Sequence, residues 1–137
     1  MTRGRPDYDV WTPPSRPTPA QGFDLFAFEF TIPANTAEGT PETLDLVLEE
    51  GTVSKVQVII PPGHAALAGL QIFNDIEQVI PKSGWLKGNN DRLDFDVDIS
   101  IAGVGDPAEY KFTAKGFNDD DTYSHTFYIR IWVLKGV

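Results

Sequence analysis

The stretch Arg92-Leu-Asp-Phe-Asp-Val-Asp-Ile-Ser-Ile101 decides how the rest of the chain is read. Leu93, Phe95, Val97, Ile99 and Ile101 alternate without a break against Arg92, Asp94, Asp96, Asp98 and Ser100. Successive Cβ atoms of a β-strand point to opposite faces, so a period of two belongs to a strand. One face is apolar and the other is wet and negative, the pattern of an antiparallel sheet with a single solvated side.

The same rhythm recurs on both sides of this stretch. Phe26, Phe28, Phe30 and Ile32 predict a strand over Phe23–Ile32 with an aromatic inner face. Leu44, Leu46 and Leu48 mark a second strand, and Val56, Val58 and Ile60 a third. Gly51 supplies the turn between them, and Pro61-Pro-Gly-His64 stops the third, since proline cannot continue a central ladder. A strand at Gly69–Phe73, a return strand at Glu77–Ile80, a loop at Lys82–Asn90 and a turn at Ala102–Pro107 follow. Tyr110, Phe112 and Ala114 face inward on a strand over Glu109–Lys115, and Phe117–Asp121 reads as a loop. His125, Phe127, Ile129, Ile131 and Val133 form the inner face of the last strand. About eight short strands separated by Gly, Pro and Asx turns, with no convincing helix, predict an all-β antiparallel sandwich of jelly-roll type. The chain has no cysteine, so the Cys…Trp…Cys spacing of an immunoglobulin domain is missing.

Residues 1–20 differ in composition from the predicted sandwich domain, 21–137. They hold Pro6, Pro13, Pro14, Pro17 and Pro19, five of the eleven prolines, and read as an extended arm. Stretched out, such an arm reaches on the order of 60 Å. Tyr8, Val10 and Trp11 form an apolar island in it, and Tyr8 and Trp11 are candidate contacts to a neighbouring subunit. Trp132 and Leu134 join them as contact candidates, because the last strand is apolar on both sides.

Composition narrows the function classes. A formal net charge of −9 opposes non-specific binding to DNA or RNA. No apolar stretch is long enough to span a bilayer, and Met1–Pro6 is not followed by the apolar core of a secretory signal.

Local chemistry offers little. Asp94, Asp96 and Asp98 lie on a strand, about 7 Å apart on one face, too far for one ion to gather all three. Asn118, Asp119 and Asp121 are calcium candidates of a better kind, because a loop can fold several oxygens around one cation. Ser124-His125 lacks a nucleophile elbow, and His125 falls on an inner face beside Phe127. His64, the other histidine, sits in an unrelated turn, so no zinc site is expected. Neither catalysis nor a cofactor is predicted. Trp85 and Tyr123, both in loops, are candidates for stacking on a sugar, as in a carbohydrate-binding β-sandwich, the other reading of Trp85 being that it folds back to plug one end of the sandwich.

Phe30-Thr-Ile-Pro-Ala-Asn-Thr36, Val56-Gln-Val-Ile-Ile-Pro-Pro-Gly-His64, Ala68–Ile72, Gln78–Pro81, Gly84-Trp85, Asn90-Asp91 and His125–Val133 carry a resemblance. Together they resemble small β-sandwich proteins encoded in the structural modules of tailed phages and related viruses, over residues 23–134. The resemblance implies a non-enzymatic virion protein, a capsid decoration or a head or tail surface subunit. It also implies partners: copies of the chain in a trimer or other cyclic homo-oligomer, and a major capsid or other virion protein. Extended arms lace such subunits together.

Overall fold

The computed structural model describes residues 22–135; the predicted arm, with Tyr8 and Trp11, lies outside them. Nine strands follow in chain order: β1 (Phe23–Ile32), β2 (Glu42–Val47), β3 (Thr52–Ile60), β4 (Ala68–Asn74), β5 (Glu77–Ile80), β6 (Asp91–Ser100), β7 (Gly103–Val104), β8 (Glu109–Asn118) and β9 (His125–Leu134).

They form two antiparallel sheets, ordered β1-β9-β3-β6 and β2-β8-β4-β5, with β7 attached to β8. The pairs β1–β9, β2–β8, β3–β6 and β4–β5 are nested, as if one long hairpin had been rolled across two sheets. That nesting is the jelly-roll arrangement. β1 touches β2 and β8 across the sandwich, so β6 lies at the β5 side. The core is what the alternation predicts: Phe30, Ile32, Val56, Val58, Ile60, Phe112, Ala114, Phe127, Ile129, Ile131 and Val133 are buried.

Gly116 lies on the inner row of β8, where a Cβ would run into Ile32. Its missing side chain lets Ile32 and Phe30 close the core between β1 and β8.

The structure departs from the sequence reading along several strands. β3 starts at Thr52, before its alternation becomes visible, because an irregularity between Val53 and Lys55 inserts Ser54 and returns Val53 to the inner face. The turn Ala102–Pro107 contains β7, which pairs Gly103 with Tyr110 and Val104 with Glu109. Phe117 and Asn118, expected in a loop, are the last residues of β8. Phe117 points away from the sandwich core yet is fully buried, because it lies across Gly69 and under Trp85. Leu93, Phe95, Val97 and Ile99 are half-buried rather than buried, since the four residues of β5 cannot cover the ten of β6.

Candidate functional site

Four connections meet at one end of the sandwich: 33–41, 61–67, 81–90 and 119–124. Backbone hydrogen bonds tie them together: Asn35 N to Asp120 O (2.9 Å), Asp119 N to Leu67 O (2.8 Å) and Ala66 N to Gly88 O (3.2 Å). Ala65 and Ala66 both have positive φ, 47° and 59°, a conformation costing about 1–2 kcal/mol per residue without glycine. Asn89 holds the strained turn, its Oδ1 accepting from Gly63 N (2.8 Å) and Ala65 N (3.1 Å).

This strain carries His64 inward to 1% exposure. The two histidines, unrelated in sequence, are neighbours, with ring centroids 4.5 Å apart, and Phe127 packs edge-on against His64. His64 Nε2 lies 3.0 Å from the carbonyl oxygen of Thr126, which can only accept, so the proton sits on Nε2. Nδ1 is then a bare acceptor, buried without a partner. Burial, reinforced by the charge His125 would carry, holds the His64 pKa below its ordinary value.

His125 is buried on the inner face, as its strand register predicts, and donates from Nε2 to Asp120 Oδ2 (2.8 Å). Asp120 also accepts from the backbone amides of Thr122 (2.9 Å) and Tyr123 (3.2 Å). The Thr122 amide, then His125 and the Tyr123 amide hold its carboxyl below the usual range. The group is a loop clamp in which Asp120 gathers His125 and two backbone amides, while Nδ1 of His64 is buried without a partner.

The calcium candidates are drawn into the same clamp. Asn118 is buried; its amide donates to Ile32 O (3.1 Å) and Tyr123 O (2.9 Å), and its Oδ1 accepts from Asp120 N (2.9 Å). Asp121 accepts from the Thr122 hydroxyl (2.9 Å), and Asp119 is exposed. Among the described residues no group of three acidic, histidine or cysteine side chains is placed to hold a metal ion. A hollow of about 210 Å³ lies at this end beside Asn35, Thr36, Ala37, Asn118 and Asp119.

The stacking candidates part company. Trp85 is half-buried, packed edge-on against Phe117 with centroids 4.8 Å apart, and so caps this end of β8. Tyr123 is 69% exposed.

The other feature is the outer face of the β1-β9-β3-β6 sheet. Registers align the row Leu25–Trp132–Lys55–Asp96 across all four strands, with Phe23 beside Leu134 at the end of β1. The row runs from apolar at β1 to charged at β6. Phe23 and Leu25 are 61% and 54% exposed, while Trp132 and Leu134 are half-buried. Lys55 places its ammonium 5.1 Å from the centre of the Trp132 ring. In the middle of the face Arg130 donates to Gln57 Oε1 (3.0 Å), and Gln57 donates to Asp94 Oδ1 (2.8 Å). Gln57 is buried although its register points it outward, a placement with no signal in the sequence.

Comparison with known proteins places the architecture. No family model matches the sequence, and no curated protein matches it. The fold is similar to a chain of the cyanophage Pam1 capsid asymmetric unit (TM-score 0.50, 10% identity, over 95% of this chain and 95% of that one). It is also similar to FlhE (TM-score 0.47, 7% identity, 82% of this chain and 96% of that one). A chain of the infectious bursal disease virus Gx strain gives a TM-score of 0.45 at 10% identity, over 93% of this chain and 36% of that one. Of the three, the Pam1 chain reaches 0.50, and at such identity it speaks for the fold: a β-sandwich of the kind viral capsid proteins use.

Proposed function

We propose that this chain is a non-enzymatic structural subunit of a virion, a capsid decoration or head or tail surface protein. It acts through contacts with copies of itself and with a major capsid or other virion protein. The observation that supports this reading is the apolar corner formed by Phe23, Leu25, Trp132 and Leu134 on the outer face of the β1-β9-β3-β6 sheet. Apolar side chains gathered at one place mark a surface that meets another protein. The polar groups at the loop end fit a structural role too, because they bond to one another and hold the turns closed.

Co-sedimentation tests the reading. The purified chain, mixed with shells of the major capsid protein from the same virus, should pellet with them at a fixed ratio. A chain that stays in the supernatant over such shells, and is absent from purified particles, would contradict it. The alternative, a carbohydrate-binding module, has Tyr123 as its exposed aromatic at the loop end. Binding on a glycan array that Tyr123→Ala abolishes would favour that reading instead.

A further inference from the structure

We propose that β1 is a two-fold docking edge, pairing antiparallel with β1 of a second copy about an axis at Ala27, so that two four-stranded sheets become one of eight strands. This deepens the assembly reading by naming the surface and its first partner.

β1 is an end strand of its sheet, and among the described residues no strand pairs with its other side. Exposed strand edges are normally guarded by Lys, Pro, a bulge or short length. Phe23-Asp-Leu-Phe-Ala-Phe-Glu-Phe-Thr-Ile32 is ten residues long, contains no Lys, Arg or Pro, pairs with β9 without a register shift, and has two charges, Asp24, which Lys135 engages, and Glu29. Such an edge offers an unbroken row of backbone donors and acceptors to another strand.

The side chains favour a second β1 as the occupant. Inner residues must meet inner residues across the joint, so the pairing must be in phase. Centred on Ala27, it sets Phe26 against Phe28 of the second copy and Asp24 against its Phe30 on the inner face, and Leu25 against its Glu29 on the outer. No like charges meet. Asp24 is already paired with Lys135 at 2.8 Å. Phe26 and Phe28, left half-buried along the rim of each core, would close over each other. Ala27 brings a small side chain to the axis, where two copies of the same residue must fit.

β6 fails the same exercise. Its well-overlapped in-phase registers put Asp94 opposite Asp96, or Asp96 opposite itself with Asp94 opposite Asp98, and like charges directly opposite destabilise a pair. The N-terminal segment is a poorer occupant of the β1 edge. Its longest proline-free run before Pro13 is Asp7–Thr12, six residues, and proline cannot donate to a ladder.

The test uses the full chain. Sedimentation velocity should show species of even subunit number, the smallest twice the 15.1 kDa chain mass. Ala27→Lys, which sets two ammonium groups together at the axis, should weaken pairing on the order of tenfold or more. Asp96→Lys on the opposite edge should leave it unchanged. The chain has no cysteine, so Ala27→Cys introduces a single thiol at the axis. Opposed Cα atoms about 4.5–5.5 Å apart fall within disulfide reach, so mild oxidation should cross-link the dimer. Asp96→Cys should not cross-link. A wild-type monomer, an odd-numbered ring indifferent to Ala27→Lys, or no cross-link at position 27 overturns the proposal, as does association lost with Tyr8→Ser and Trp11→Ser but kept with Ala27→Lys. A monomer that still pellets with shells refutes the β1 joint alone, whereas a dimer that ignores shells refutes the virion reading alone.

Discussion

β1 and β6 are the two edges of one sheet, each ten residues long, and they are built to opposite specifications. β6 turns Arg92, Asp94, Asp96 and Asp98 outward, whereas β1 turns Phe23, Leu25 and Ala27 outward, followed by a single charge, Glu29, and Thr31. The row Leu25–Trp132–Lys55–Asp96 joins the two edges through graded chemistry, from bare hydrocarbon through a Trp covered by an ammonium to a carboxylate. An edge that must stay free needs charge, and an edge that is to be covered does not. The contrast gives the sheet a direction: β6 carries the charge that keeps an edge in water, and β1 is the edge proposed to meet a partner.

The largest predicted effect tests the inner side of the same two strands. Phe30→Ala on β1 removes a 3%-exposed ring and should lower unfolding free energy by about 3–5 kcal/mol in urea titrations. Phe95→Ala on half-buried β6 should lose about half as much, because area already in contact with water cannot be exposed again. Equal losses would mean that β6 is as well covered as β1, and would break the contrast. Next comes the guard on β6. Changing Asp94, Asp96 and Asp98 together to Val should leave the fold intact but create a second sticky edge, read as turbidity or open-ended aggregates in light scattering. The bridge in the middle of the face follows. Gln57→Leu strands Asp94 and Arg130 without their shared partner and should lower stability by about 1–2 kcal/mol, visible in Tm.

The smallest effect lies away from both edges and serves as their control. His64 has a folded pKa below its unfolded value near 6.5, so the unfolded chain binds the proton more readily. Its stabilising contribution is complete above about pH 6.5 and is lost as pH falls towards and through the lowered folded value. Tm should therefore decline between pH 7 and pH 5, and His64→Gln should flatten that decline. Association through β1 should not follow it, since neither edge contains a histidine.

The local part of this fold is legible in the amino-acid sequence. Alternation locates the long strands, places His125 inward and puts the Asp94–Asp96–Asp98 stripe on the wet face. What cannot be read is whatever depends on residues far apart in sequence. Phe23 pairs with Leu134, more than a hundred positions away, so nothing near β1 announces that it is an edge. Phe117 resembles a loop residue because the glycine it lies across, Gly69, and the ring above it, Trp85, come from other parts of the chain. His64 has the sequence surroundings of an exposed turn residue, and only the strain at Ala65 and Ala66 turns it against His125. The start of β3 is hidden by its own irregularity, which breaks the period of two at Ser54. Trp85 is legible as a loop aromatic able to fold back and plug one end of the sandwich, and it does so over Phe117 of β8.

Amide hydrogen exchange, followed residue by residue on the full chain across a dilution series, tests the central claim most directly. At high concentration every amide from Asp24 to Phe30 should be protected. On dilution those pointing away from β9 should open together, while β6 keeps the alternating protection of a solvent-facing edge throughout. Protection along β1 that never changes with concentration, or a change that falls on β6 instead, would contradict the account.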